Sequence, residues 1–464
     1  MSTSKRTLIK GGTVITVDPQ LGDFPKADVL IENDRIVQVD SSIDADAEVI
    51  DATGMIVMPG FIDTHRHTWQ SLVRNIASDW TLGQYMAGLH EGVSVNYRPE
   101  DTYTGILLGT VEALDAGITT LVDWSHNVET PAHADAAVDA LFASGARAVF
   151  AHGGGASMWQ CPSVVGHDRD ILRIQRERFS SDDQLVTLAF AARGPQFATR
   201  EVTLRDWDLV REVGVPVTVH AGDGEWGRSR PIEWMRDQGM LADDMTVIHA
   251  NTLADDELRM LADAGASVSV SADIETQMGH GWPATGRLLD VGIRPCLSID
   301  VCSSNGGSMF SAMKTTIAVQ RALDNANEEH PGEQDRVRLR CADVIEFATI
   351  DGAKAASLDR KVGSISIGKA ADVILVDATS LGMTPLNNPA GAIVYNAHAG
   401  MVDTVLVNGR VVKRGGKLVG IDIAALREAA IQSRDHIFSA ARSGDRVPNA
   451  ATGGKWFPGT VNAQ

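Results

Sequence analysis

Apolar positions along the chain fall into three textures. Over the first sixty residues they form short β-branched runs, Thr13-Val14-Ile15-Thr16-Val17, Val29-Leu30-Ile31 and Arg35-Ile36-Val37-Gln38-Val39, broken by Gly11-Gly12 and Glu32-Asn33-Asp34. Such runs separated by Gly, Asn and Asp are hairpin chemistry. The same texture returns at Ala371–Val376 and at Thr404–Val407, where Asn408-Gly409 leads into Arg410-Val411-Val412. Each small β segment would bury little core alone, and chain ends often lie close together. The pattern therefore predicts one small β-sandwich domain built from residues 1–58 and 361–420.

Between these ends, apolar strands alternate with helical stretches. Eight strand candidates stand at Ile56–His65, Gly117–Trp124, Arg147–Gly153, Val186–Arg193, Pro216–Ala221, Met245–Ala250, Ser267–Ala272 and Pro295–Asp300. The gaps hold segments such as Asp255–Ala264, with Leu258, Leu261 and Ala262 at helical spacing. Strand–helix alternation implies right-handed crossovers and a parallel sheet. Eight units over about 250 residues match the closed (β/α)8 TIM barrel, predicted over residues 59–360. An open doubly wound sheet would carry a Gly-rich first turn, and no G-x-G-x-x-G follows the first strand. The remainder, residues 421–464, opens with an apolar-rich helix at Asp422–Ala441, placed either on its own barrel or over a neighbour.

Charge narrows the partners. The 464-residue chain has a net charge of −19, which argues against nucleic acid and anionic membranes, both of which need a basic face. No apolar run reaches the roughly 18 residues of a spanning helix, and Met1–Lys10 lacks the apolar centre of a signal peptide. The four cysteines, at 161, 296, 302 and 341, include no C-x-x-C pair, so neither a disulfide framework nor a zinc knuckle is indicated. A cytoplasmic protein is expected.

Barrels of this kind carry their chemistry at the C-terminal ends of the strands. Strand one ends Asp63-Thr64-His65-Arg66-His67, strand five ends at His220, strand six at His249 and strand eight at Asp300. Alternate residues share a strand face, so His65 and His67 point the same way. A lone strand-end histidine is more often packed than functional. Three imidazole-bearing strands and a carboxylate meeting over one mouth are costly to desolvate unless a divalent cation joins them. Bridging two ions through a carbamylated lysine needs a lysine on a middle strand. None occurs between Lys26 and Lys314, and strand four ends in Arg193, which cannot ligate. One metal ion is expected, zinc by default, with iron, cobalt or manganese accepting the same ligands.

With these residues in hand the sequence resembles the amidohydrolase superfamily. The resemblance rests on Pro59-Gly60-Phe61-Ile62-Asp63-Thr64-His65-Arg66-His67, His220, His249, Ser298-Ile299-Asp300 and the tail motif Val362–Asp372, and spans roughly residues 6–420. Thr64-His65-Arg66-His67-Thr68-Trp69-Gln70 is similar to the branch holding the cytosine, guanine and adenosine-type deaminases and the triazine hydrolases. The resemblance implies that His65, His67, His220 and Asp300 bind the metal. It further implies that Asp300 takes the proton of the activated water as general base, and that His249 hydrogen-bonds the water or the developing charge. The deaminase branch usually carries a glutamate three residues after the strand-five histidine. Here Asp223 stands there, with Glu225 two positions on.

The expected function is hydrolysis of an amide-, urea- or carbamate-type C–N bond, or displacement of a leaving group on a small nitrogen heterocycle. Deamination is the alternative, and a non-catalytic scaffold the remote one. Trp69, Gln70, Arg193, Asp223, Glu225 and His280 are the expected substrate-facing residues, ahead of His126 and His152. A homodimer or homotetramer acting on a small-molecule substrate completes the expectation.

Overall fold

The computed structural model describes residues 5–155, 158, 162–327 and 336–443. Nine strands from the two ends of the chain form one sheet. Arg6–Val14, Phe24–Glu32 and Arg35–Asp40 make an antiparallel run, and Met55–Pro59 pairs with Val373–Asp377, joining the N-terminal to the C-terminal part. Residues on its inner face, among them Ile9, Val29, Ile36, Val57, Val373 and Leu406, form an apolar core of their own. The Asn408-Gly409 turn links Val402–Val407 to Arg410–Arg414 with both residues at positive φ (50° and 71°), as a tight two-residue hairpin requires.

Eight parallel strands make the barrel: Phe61–Arg66, Ile118–Ser125, Arg147–His152, Val186–Ala192, Val217–Ala221, Met245–His249, Ser267–Val270 and Cys296–Leu297. The sequence reading merged residues 56–65 into one strand. The structure breaks it at Gly60, where a Cβ would lie 2.1 Å from Thr119 Oγ1, and gives Met55–Pro59 to the terminal sheet. The eighth strand is short, so closure onto the first relies on individual bonds. Asp300 N–H donates to the His65 carbonyl (2.9 Å), His67 N–H to the Asp300 carbonyl (2.8 Å), and Ile299 N–H to Asp63 Oδ1 (3.0 Å). These bonds set the first metal-ligand candidates against Asp300.

Buried Arg147, at the base of the third barrel strand, makes a two-point contact with Asp372 (2.9 and 3.1 Å) and thereby ties the barrel to the terminal sheet. The C-terminal helix spans Ile423–Ser443 and packs on the Pro99–Asp115 helix of the same chain, with Ile437, Phe438 and Ala441 buried. Its own barrel, then, receives the apolar face. Residues 444–464 of the predicted tail, and Cys161, lie outside the described residues, and the remaining three cysteines are free. No described helix is long and apolar enough to cross a membrane.

Candidate active site

The strand ends converge as barrel topology demands. His65 closes the first strand, and His67 caps the short 3-10 helix Thr68–Val73 that follows. Both rings approach one carboxylate oxygen, with His65 Nε2 3.2 Å and His67 Nε2 3.4 Å from Asp300 Oδ1. The His220 ring lies 4.7 Å from that of His65 and stacks parallel to that of His67 at 5.6 Å. One ligand atom from each of His65, His67 and His220 falls within a 4.8 Å cluster, and so does one from each of His65, His249 and Asp300.

All these groups are buried, and burial decides their charge. It drives His67 and His220 well below the ordinary imidazole range, reinforced by the neighbouring histidines, and lowers His65 despite the pull of Asp300. Burial alone would raise Asp300, but His65, His249 and His67 together hold its carboxyl well below the usual range. Neutral imidazoles beside an ionised carboxylate are the protonation states that metal ligands need. Neither ring nitrogen of fully buried His65 makes an aligned hydrogen bond. Such a group is costly unless something else occupies the lone pair. A divalent cation fits this donor set.

His249 differs from the other three. Its Nδ1 faces Glu275 Oε1 at 3.2 Å, and Glu275 Oε1 also accepts from Ser271 N–H at 2.8 Å. That contact aims Nε2 at the mouth, 3.5 Å from Asp223 Oδ1 and 3.7 Å from Asp300 Oδ2. Burial would lower this imidazole, but Asp223, Glu275 and Asp300 outweigh it and push it up to about 9. His249 therefore carries a proton at neutral pH. Both His249 and Asp300 adopt positive φ (78° and 64°), strained conformations that L-residues hold where surrounding structure imposes them.

These side chains floor a narrow cavity of about 40 Å³ at the mouth of the barrel. Asp223 and His280 line it, with Asp223 Oδ1 3.3 Å from His280 Nδ1. Leu82, Tyr85, Met86 and His90 form a further wall, and His126 joins them with its Nε2 3.3 Å from His90 Nε2. Burial lowers His90 to about 3 and His126 well below its usual value, leaving both neutral.

Four expected substrate contacts are corrected by this geometry. Trp69 is fully buried behind the wall, where its indole N–H donates to His126 Nδ1 (3.0 Å). Gln70 is equally buried, bridging the Tyr85 hydroxyl (2.5 Å) and Ser303 Oγ (2.8 Å). The helical turn after His67 rotates both inward, away from the mouth. Arg193 is consumed by Asp206 (2.9 Å), Ser163 Oγ (2.6 Å) and the Met158 carbonyl (3.2 Å), and so braces the loop after strand three. Glu225 is exposed and pairs with Arg228, because the 3-10 turn Gly224–Ser229 carries it away from the barrel axis. His152 pairs with His167 (3.0 Å) outside the cavity.

Sequence reasoning missed Gln196, Glu275 and the wall residues Tyr85 and His90. Glu275 had a signal, an acid in the first turn of the helix that leaves strand seven. Gln196 stands three residues past the strand-four end that drew attention to Arg193. Tyr85 and His90 had no comparable signal, since they lie on no strand.

A closed parallel barrel gathering histidines and carboxylates at its C-terminal mouth defines the class, that of barrel enzymes suited to metal-assisted hydrolysis. The chain belongs to the amidohydrolase family, whose model matches residues 56–412, and is a hydrolase of that family. It is similar to a 5'-deoxyadenosine deaminase of Methanothermobacter thermautotrophicus, 28% identical over 90% of this chain and 98% of the relative. A 5-methylthioadenosine/S-adenosylhomocysteine deaminase of Pyrococcus furiosus is 27% identical over 89% of this chain and 97% of the relative. Among solved structures, an adenosine deaminase of Xanthomonas campestris with bound zinc superposes with a TM-score of 0.81 at 24% identity, covering 93% of this chain and 98% of the other. A zinc complex of atrazine chlorohydrolase from Arthrobacter aurescens superposes at 0.80 and 21% identity, covering 92% and 100%. These two superpositions establish the shared fold.

Proposed function

We propose that this protein is a single-metal hydrolase that displaces an amino group, or a comparable leaving group, from a ring carbon of a small, uncharged nitrogen heterocycle. The observation that carries the reading is the convergence of His65, His67, His220 and Asp300 beside a second buried carboxylate, Asp223. Those four residues would hold one zinc ion, which when bound acidifies a water at neutral pH and polarises it for attack. The absence of lysine from residues 27–313 supports a single ion.

Asp300 Oδ2, on the side facing His249, accepts the proton of the attacking water. Protonated His249 donates through Nε2 to the charge that develops as the ring is attacked. Asp223 is ionised at rest: burial would raise its carboxyl, but His249, His280 and Gln196 hold it below the usual range. It can therefore accept the proton of His249, 3.5 Å from Oδ1, and pass it to a ring nitrogen or the departing group, while the proton that Asp300 takes from the water restores His249, whose Nε2 is 3.7 Å from Asp300 Oδ2. Among the described residues the cavity is lined by no lysine or arginine and by the apolar Leu82, Met86, Phe197 and Met278, which favours an uncharged substrate. The deaminase names of the relatives support ammonia as the product.

The test is a panel of aminopurines, their nucleosides, aminopyrimidines and substituted triazines, read by ammonia or other leaving-group release, on native, chelated and zinc-reconstituted protein. The expected result is turnover that disappears on chelation and returns with about one zinc per chain. Turnover indifferent to chelation would refute the metal route, and protein that neither takes up metal nor turns over any member of the panel would favour a scaffold instead.

A further inference from the structure

Gln196 lies on the short helix Gly194–Phe197 that leaves the fourth barrel strand, and it is nine-tenths buried. Its amide is engaged by one dipeptide. Oε1 accepts from the N–H groups of Gly222 (2.7 Å) and Asp223 (3.3 Å), while Nε2 donates to Asp223 Oδ2 (2.5 Å). One side chain thus holds both the backbone and the carboxylate of Asp223.

The dipeptide it holds has little freedom of its own. Gly222 sits at φ +105°, and a Cβ there would lie 2.5 Å from Ala250 Cα. Its carbonyl accepts from Thr252 N–H (3.0 Å) and Thr252 Oγ1 (2.9 Å). With Oδ2 occupied, Asp223 Oδ1 is turned to the cavity side. It is buried, makes no aligned hydrogen bond, and stands between His280 Nδ1 and His249 Nε2. A carboxylate rotates broadly about its last torsion, so without the amide either oxygen could meet the two imidazoles. The amide removes that choice and leaves Oδ1 as the oxygen that meets the two imidazoles at the cavity.

We propose that Gln196 is a positioning residue that makes Asp223 a one-oxygen acid–base group: it fixes Oδ2 and presents Oδ1 to the substrate. The inference rests on the reading of Asp223 as a proton carrier. It also accounts for how a side chain as short as aspartate can serve there, since the Gln196 carbonyl holds the backbone that supplies the reach.

The experiment compares Gln196→Glu, Gln196→Ala, Asp223→Asn and the double variant Gln196→Glu/Asp223→Asn, using any substrate the wild type turns over. Gln196→Glu keeps the acceptor for both backbone N–H groups and the side-chain shape, but sets a second carboxyl against Oδ2, so that the two carboxyls must share one proton and Asp223 is no longer held as a free carboxylate. A merely structural role would survive it. The expected result is a kcat loss of about 10²-fold in Gln196→Glu, as for a catalytic group misplaced by about an ångström, with KM, zinc content and melting temperature close to wild type. The double variant should be no slower than Asp223→Asn alone, since Gln196 acts only through Asp223. Wild-type kcat in Gln196→Glu, or losses that multiply in the double variant, would overturn the positioning role while leaving Asp223 in place. Wild-type kcat in Asp223→Asn would overturn the reading beneath it as well. Gln196→Ala, if it folds, should lose at least as much as Gln196→Glu. If it does not fold, Gln196→Glu decides the question.

Discussion

The floor and the wall of the cavity are built by different kinds of backbone. The floor places His65, His220, His249 and Asp300 at or just past the ends of parallel strands whose positions are fixed by pairing around the whole barrel. The wall places Leu82, Tyr85, Met86 and His90 on a single turn of helix, Leu82–Tyr85, running into a π-helical stretch, Met86–Val93, with the C-terminal helix packed behind it. A strand end in a closed barrel cannot move without breaking pairing on both sides, whereas a short irregular helix can shift with little loss. π-helical turns are rare and gather at functional sites. The contrast sets up a division, chemistry on the floor against substrate selection at the wall, and each variant below tests one side of it.

The largest effect is expected on the floor. His65→Ala, His220→Ala and Asp300→Ala each remove one of about four ligands and should abolish most zinc binding and nearly all turnover. Elemental analysis with matched assays decides it, and full zinc occupancy in all three variants would break the assignment. Next comes the pair of neighbouring acids. Asp223→Asn should lower kcat by about 10²- to 10⁴-fold with zinc retained, the usual range for a lost general acid–base group. Glu225→Gln, exposed and paired only with Arg228, should stay within about threefold of wild type, as surface changes do. The reverse ranking would move the proton route off the barrel axis.

This division also explains what could be read from sequence. The barrel, its eight strands and the five strand-end groups were legible because side-chain alternation and barrel topology leave one place for them. Asp223 was legible from its spacing after His220 in the resemblance, and His280 from its place in the segment that follows strand seven. Trp69 and Gln70 were misplaced because adjacency to His67 says nothing about the helical turn that swings them behind the wall. Arg193 was misplaced because its partner Asp206, thirteen residues on, decides its direction, and Glu225 because the 3-10 turn after Asp223 sends it outward to Arg228. His90 lies in a π-helical stretch whose hydrogen bonding follows neither ordinary period, and Tyr85 ends a single α-helical turn too short to show one, so no amphipathic template selects them.

A wall variant should separate selection from chemistry. His90→Ala removes a neutral imidazole that lines the cavity and meets His126 at 3.3 Å. Zinc content should be unchanged. The ranking of substrates should shift, with kcat/KM for the preferred one falling about tenfold, or about 1.4 kcal/mol of discrimination. An equal fall for every substrate, carried by kcat alone, would place His90 in the chemistry and erase the distinction between wall and floor.

The smallest effect on rate, and the finest test of the wall's mobility, is Tyr85→Phe. The phenol accepts from Gln70 Nε2, and Gln70 Oε1 in turn accepts from Ser303 Oγ, just beyond Asp300. This chain is a polar link between wall and floor. Removing the hydroxyl leaves the Gln70 amide nitrogen buried without that partner, a cost of about 1–3 kcal/mol. The ring and its packing against His90 remain, 5.1 Å apart and edge-on, so the cavity keeps its shape. If the wall moves as a unit, the cost falls on the closed state of residues 82–93 rather than on global stability. Hydrogen exchange should quicken in that segment and stay unchanged on the barrel strands, with kcat within about threefold of wild type. Exchange that quickens equally throughout the barrel would mean that wall and floor open together and that the wall has no independent mobility with which to select substrates.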